Sequence, residues 1–381
     1  MTAYFDNSHC DIAEFTAHIS QITDPKDVPF SAEIVKNVPV YDIPDLAATI
    51  RGDARRSLMA EWTRVMMTGA GVIVLRSAFT DTAVLDEATA IYEEIIAVEK
   101  IEFGAGGDHF AAAGSNDRVW NALQKLCIKN PSVFARYFGN EAIQTASEAW
   151  LGPMYQMTAQ VNLVHPGGAA QQAHRDYHLG FQTADVAGSF PPHVHDLSPV
   201  MTLQGAIAHC DMPVESGPTK LLPFSQSYRA GYMAYRLPEF RDLFEERCVQ
   251  VALSKGDAVF FNPAIFHAAG ENTSSDIHRF ANLLQVGSAM GRSIESVNRT
   301  AMCKSLYPVI STQGLSSEQI SAAIASCAEG YSFPTNLDTD PPLGGLVPQT
   351  QADLFHLALA QKMSPDAFNA ALDALDQKRL A

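Results

Sequence analysis

The stretch CVQVALSKGDAVFFNPAIFHAAG, residues 248–270, decides the fold. It alternates in polarity, turns at Gly256-Asp257, and passes through the apolar run Ala258–Phe261 into a second apolar segment that ends at His267. Short runs rich in Val, Ile and Phe, separated by Gly, Pro, Asn and Asp, read as strands rather than helices. The same texture fills the chain from Tyr155 to Ser288, in MTAQVNLV (157–164), SPVMTLQGAIAHCDM (198–212), PVESGPTKLLPF (213–224) and RFANLLQVG (279–287). Many short strands at close spacing predict a mainly β domain with flanking helices, an antiparallel sandwich or jelly roll, and argue against a βαβ fold.

Outward from this core the periodicity becomes helical. SLMAEWTRVMMTG (57–69) places Leu58, Trp62, Val65 and Met66 on one face, and Gly69 and Gly71 end the helix before the buried strand VIVL (72–75). A second helix, capped by Thr80 or Asp81, buries Leu85, Ala88, Ile91, Ile95 and Val98. The glycine-rich FGAGGDHFAAAGSNDR (103–118) is followed by no GK[ST], so it reads as a mobile binding loop rather than a phosphate loop. His109, Arg118 and Trp120 are its recognition groups if it covers a site. Ser316 with Gln319 forms a capping box, 333–348 is a linker or strap, and Ser364-Pro365 starts the last helix. The chain divides into an irregular or partly helical N-terminal extension (1–52), a β domain with flanking helices (53–310) and a helical C-terminal extension (311–381).

With 381 residues the chain holds one large or two ordinary domains at ~100–200 residues each. Lys+Arg is 26 and Asp+Glu 42, a formal charge of −16. Nucleic acid and anionic membrane surfaces both demand a basic face, so neither is an expected partner, and a small-molecule substrate is. Homo-oligomerisation stays open. Six cysteines without a CxxC pair, and an N-terminus with neither a basic start nor an apolar run, predict a reduced, cytoplasmic protein. No run approaches the ~20 apolar residues of a membrane span.

A strand's period of two puts His174, Asp176 and His178 of HRDYH on one side. By itself this pattern is common on exposed strands. It gains weight from His267 and from the polar turn GENTSSD (270–276), which folds the strand opened by Arg279 back beside it. An arginine on an apolar strand demands an anion, and its fork matches a carboxylate. Two imidazoles and one carboxylate on a β scaffold form the facial triad of a non-haem Fe(II) oxygenase. Two rival pairs exist, His209 with Asp211 and His193 with His195. HPGGAAQQ (165–172) favours the first set, because it is a turn that brings a new strand to the sheet's rim, whereas His209 lies deep in an apolar run and reads as a satisfied core histidine. His178 is either a partner behind the ligands or a surface residue.

At this point the chain resembles the phytanoyl-CoA dioxygenase family of Fe(II)- and 2-oxoglutarate-dependent oxygenases. The resemblance covers about residues 58–290 and rests on GAGVIVLRSAF (69–79), LGPMYQ (151–156), the HRD pair, ESGPTKLLPFSQS (215–227) and GDAVFFNPAIFHAAGEN (256–272) with its trailing arginine. It implies a double-stranded β-helix (jelly roll, cupin-like) core, iron held by His174, Asp176 and His267, and Arg279 on the distal carboxylate of 2-oxoglutarate. It further implies Gln160 and Asn162 facing the cosubstrate, O2 as oxidant with ascorbate supportive, and hydroxylation of a C–H bond with release of succinate and CO2. Asp176 speaks against halogenation, since halogenating relatives carry a small residue there. The chain departs from the family at Pro223-Phe224-Ser225-Gln226, where GSH often follows the proline, at Ala269, where a hydroxyl residue is frequent, and in a turn one residue longer before Arg279. No Lys/Arg cluster suits a CoA ester, which leaves a smaller metabolite such as an amino acid, an amine or a natural-product intermediate. A cupin-like metal-binding or sensory protein and a Zn(II) hydrolase on the same three residues are the other readings.

Overall fold

In the computed structural model, which describes residues 4–103, 115–176, 178–180 and 182–380, ten strands form two sheets. They are β1 (Glu33–Val35), β2 (Val38–Asp42), β3 (Val72–Arg76), β4 (Asn116–Val119), β5 (Gln156–Val164), β6 (Thr202–Ala208), β7 (Lys220–Leu222), β8 (Ala258–Phe261), β9 (Phe266–Ala268) and β10 (Arg279–Gly287). The major sheet has the order β1-β2-β3-β8-β6-β10-β5-β4, antiparallel except for the parallel β2–β3 pair, and the minor sheet is β7-β9. The two sheets are the walls of a jelly-roll core.

The major sheet has two unlike faces. Residues directly opposite on paired strands share a face, so the registers Gln160↔Leu283, Asn162↔Ala281, Gln285↔Gln204 and Ala281↔Ala208 define one polar and small-residue surface turned to the minor sheet. The alternate residues Met157, Ala159, Val161, Leu203, Ile207, Leu284 and Val286 form the apolar surface and pack on helices such as Ala122–Lys129 and Ser317–Cys327. β6 is buried along its whole length. At Gly205 a Cβ would stand 2.6 Å from the Phe260 ring on β8, so only glycine allows this approach.

The helix Arg55–Met67 buries Leu58, Trp62, Val65 and Met66, and Gly71 (φ +79°) turns the chain into β3. Asp81 supplies the acceptor at the start of the following helix, Ala83–Phe103, with its side chain 3.0 Å from the Ala83 amide. Val98 is exposed rather than part of the buried stripe. Two segments differ from the reading of the sequence. Residues 33–42, expected as irregular extension, supply two strands of the major sheet. Asn116–Val119, expected as loop, is an edge strand paired to β5. The N-terminal helix Ile12–Ile19 lays Phe15 against Phe266 at 4.9 Å between ring centroids and so closes the back of β9. At the other end, Phe368 of the last helix stacks on Tyr307 at 4.0 Å. No helix among the described residues is long and apolar enough to cross a membrane.

Two buried polar groups hold the apolar side together. Arg299, at the start of its helix, donates to the carbonyls of Met157 on β5 (3.1 Å) and of Ser326 and Cys327 (3.5 and 3.4 Å), in the last turn of the helix Ser317–Cys327. A cation at a helix C-terminus is favourably placed. His209, just past β6, bridges Thr89 Oγ1 at Nδ1 and the Tyr137 hydroxyl at Nε2, both at 2.8 Å. Thr89 gives its own proton to the Leu85 carbonyl, and Asn282 donates to Tyr137. The chain of donors thus runs one way and closes around a neutral imidazole. Burial pushes His209 down to about 3.

Replacing Arg299 with Met strips the donor from three buried carbonyls and should lower stability by roughly 3 kcal/mol, read as a fall in thermal midpoint, with Arg299→Lys recovering a minority of it. His209 contributes stability that is complete above an unfolded-state pKa of ~6.5 and declines as the pH drops towards its folded value. Between pH 7 and pH 5 wild type should therefore lose about 2 kcal/mol more in denaturant unfolding than His209→Gln. Equal pH dependence in the two proteins would contradict the neutral buried histidine.

Candidate metal centre

The site begins with one main-chain pairing. His174 and His267 exchange hydrogen bonds, N–H to O=C at 2.9 and 3.1 Å, as an isolated antiparallel bridge onto β9. Members of such a pair project their side chains to the same side, and the two imidazole rings stand 4.5 Å apart between centroids. Asp176 is held two residues along by its amide, which donates to the Pro263 carbonyl at 3.1 Å. Its carboxylate oxygens lie 3.7 Å from His174 Nε2 and 3.6 Å from His267 Nε2. One ligand atom from each of the three residues falls within 4.8 Å of the others, and this is the one such cluster of His, Cys, Asp or Glu among the described residues.

The imidazoles are oriented from behind. His174 Nδ1 donates to the Gln172 carbonyl at 2.8 Å and His267 Nδ1 to the Ile265 carbonyl at 3.0 Å. With the proton on Nδ1, each Nε2 turns a lone pair towards the Asp176 carboxylate, the tautomer a metal ligand requires. Burial alone would raise the Asp176 carboxyl, but the two imidazoles, when a proton stands on Nε2 in the metal's place, and the Gln204 amide outweigh it and hold the group below the usual carboxylate range. Gln204 Nε2 donates to Asp176 Oδ2 at 2.8 Å from the inner face of β6. Ser225 fixes β9 from the other side: its buried hydroxyl accepts from the Phe266 amide at 2.8 Å and donates to the Leu222 carbonyl.

Arg279 opens β10 with 6% exposure and donates through Nη1 to the carbonyls of Ser216 (3.0 Å) and Gly270 (3.2 Å). Gly270 lies three residues beyond His267, roughly 10 Å along an extended chain. Among the described residues no carboxylate pairs with this guanidinium, and burial lowers it to about 10. The turn that carries it back is pinned by Asn272, fully buried, whose amide donates to Val164 and Ile277 carbonyls while its Oδ1 accepts from Ser274. The donor set suits a divalent ion such as iron, and a buried cation without an acid of its own suits a dicarboxylate reaching away from it; the residues present fit both groups.

The other candidates fall in different places. Gln160 and Asn162 lie on the inner face of β5, where Gln160 accepts from Arg118 Nη2 at 3.4 Å and Asn162 accepts from Asn116 at 3.1 Å. Arg118 stands on strand β4 rather than in a loop, 4.8 Å over the Trp120 ring. His109 lies outside the described residues. Among its described residues HRDYH is not a strand: a single bridge at His174 is followed by a turn at His178. His178 therefore leaves the common face and donates from Nε2 to the Arg292 carbonyl at 2.6 Å. Of the rival pairs, His209 has both nitrogens engaged in the helical packing, and Asp211 accepts from the Lys255 amide. His195 is stacked on Tyr232 in a short helix, where residues two apart do not face the same way. Gln204 escaped the reading of the sequence, although polar Thr202 and Gln204 alternate with apolar Leu203 and Ile207 and so mark the inner face.

No curated protein sequence matches the chain. Among solved structures, it is similar to the non-heme alpha ketoglutarate dependent carbocyclase SnoK from nogalamycin biosynthesis, at 20% identity and TM-score 0.44 over 62% of this chain and 86% of that one. It is similar to the epimerase SnoN of the same biosynthesis at 19% and 0.39, covering 62% and 83%. HygX from Streptomyces hygroscopicus, with nickel and 2-oxoglutarate bound, aligns at 12% and 0.41, covering 62% and 89%. The family model described as Phytanoyl-CoA dioxygenase (PhyH) matches residues 67–281, a span that contains His174, Asp176, His267 and Arg279. That span is more than half of the sequence, and the chain belongs to the phytanoyl-CoA dioxygenase family.

Proposed function

We propose that the protein is an Fe(II)- and 2-oxoglutarate-dependent dioxygenase that hydroxylates an unactivated C–H bond of a small organic metabolite. The observation that carries this reading is the convergence of two Nε2 atoms and one carboxylate on a single point, with both imidazole tautomers set by carbonyls behind them. Bound there, iron and 2-oxoglutarate supply the oxidative chemistry, in which the cosubstrate loses CO2 to become succinate while the substrate is hydroxylated.

The chain's own residues orient and bind. His174, Asp176 and His267 hold the metal on one side and leave the other side open. Gln204 keeps the Asp176 carboxylate in place through its amide proton. Arg279 receives the far carboxylate of 2-oxoglutarate, its position fixed by the Ser216 and Gly270 carbonyls. The low-dielectric setting strengthens that ion pair over its value in water. A Zn(II) hydrolase or a sensory metal protein has no use for this arginine, which supports the oxygenase reading over both.

Purified protein supplied with Fe(II), ascorbate and 2-oxoglutarate should release succinate slowly without any substrate, and His174→Ala should reduce the rate by at least about a hundredfold. Absence of succinate from wild type, or a variant as active as wild type, would refute the assignment.

A further inference from the structure

Gln204 and Gln285 stand side by side on the inner face, directly opposite each other on β6 and β10. Their exposures are 4% and 8%, so both are more than nine-tenths buried. Gln204 turns its Nε2 to Asp176 Oδ2, 2.8 Å away, as the donor of that pair. Its Oε1 then points away from Asp176, and among the described residues it is buried with no donor. Gln285 Oε1 is likewise buried with no donor among the described residues. Buried carbonyl oxygens are almost always paired, and two unpaired ones on adjacent strands call for an explanation.

The neighbours on this face do not supply it. The Thr158 hydroxyl, across from Gln285, is spent on the Gln285 main-chain carbonyl at 2.6 Å. Gln160, one step further along β5, is engaged with Arg118 and Glu295. Nor do the reaction's other components. At neutral pH 2-oxoglutarate has two carboxylates and a ketone, all acceptors, and dioxygen carries no proton. An acyl chain would bury both oxygens against methylene groups, which is worse than leaving them to water.

We propose that the substrate is an amine or an alcohol whose N–H or O–H groups are received by Gln204 Oε1 and Gln285 Oε1, and that these two residues set the specificity of the reaction. The inference rests on the oxygenase reading and deepens it. Because the other arm of the Gln204 amide holds Asp176, a donor taken by Gln204 lies beside the metal position, and the oxidised C–H is on or next to the carbon that bears the donor. The balance is that of the parent reaction: one oxygen atom of O2 enters the C–H bond, the other enters the new carboxylate of succinate, and CO2 leaves.

The test uses full-length protein loaded with Mn(II) and 2-oxoglutarate without oxygen, so that binding is read without turnover. Ethanolamine, 2-amino-1,3-propanediol and glucosamine are each titrated beside their fully methylated counterparts (quaternary ammonium, methyl ethers), with decanoate as the apolar probe and tryptophan fluorescence and thermal midpoint as readouts. At least one unmethylated compound should bind tenfold or more tightly than its methylated form and than decanoate. That preference should collapse in Gln285→Leu and survive in Gln285→Glu, which keeps an acceptor; the wild-type comparison needs neither variant to fold. Equal binding of methylated forms would mean that water alone satisfies the two oxygens. That result, a preference for decanoate, or no binding by any unmethylated compound while 2-oxoglutarate binds, overturns the proposal. Failure of 2-oxoglutarate itself to bind overturns the oxygenase reading instead.

Discussion

The exchange of two main-chain hydrogen bonds between His174 and His267 is the constraint on which the site depends. Residues 93 positions apart in sequence are locked opposite each other, and their imidazoles take the same side without any direct bond between the rings. Asp176 then needs no placement of its own beyond a single bond to the Pro263 carbonyl. Everything else in the minor sheet serves that pairing. Ser225 pins the amide before His267, Leu221 pairs with His267 from β7, and Phe15 of the N-terminal helix packs behind Phe266. A bridge of one residue pair would fray in isolation, and it persists here because the surrounding packing over-determines it.

The division of the major sheet into two faces turns this anchor into a site. The outer face is apolar and disappears under helices, with His209 and Arg299 as fully engaged polar insertions. The inner face is lined by Gln160, Asn162, Gln204, Gln285 and small residues such as Ala206 and Ala281, and Arg279 stands at one end of it. Polarity that would be costly in a packed core is gathered on the face turned to the minor sheet and the His174–Asp176–His267 cluster. The acid excess of the chain, −16 overall, gives no general pull on an anionic cosubstrate. In the proposed function Arg279, buried at the end of the inner face, supplies that attraction locally.

Much of this was legible in the sequence where side-chain period and local turns determine structure. The strand ending at His267, the turn that returns at Arg279, the core role of His209 and the Ser316 capping box all follow from near neighbours. What escaped depends on partners far away. β2 is a short strand with Pro39 inside it, a residue that weakens any strand pattern, and it exists because β3 lies alongside. Asn116–Val119 has no alternation and is a strand only by pairing with β5. HRDYH reads as a strand by its alternation, but the only bridge in its described residues is at His174 and His178 lies in a turn, so His178 leaves the face of His174 and Asp176. Gln204 passed as one polar residue in an apolar run, and its role appears only when Asp176 is brought against it.

The central claim is that one metal and one dicarboxylate share this inner face, the metal at His174, Asp176 and His267 and the far carboxylate at Arg279. Calorimetric titration of 2-oxoglutarate into the protein with and without Mn(II) tests it most directly. The account predicts one 2-oxoglutarate per chain only when the metal is present, no binding in Asp176→Ala, and binding weakened at least about tenfold in Arg279→Lys, which keeps the charge but loses the fork. Equal affinity with and without metal, or an Arg279→Lys protein that binds as wild type does, would contradict it.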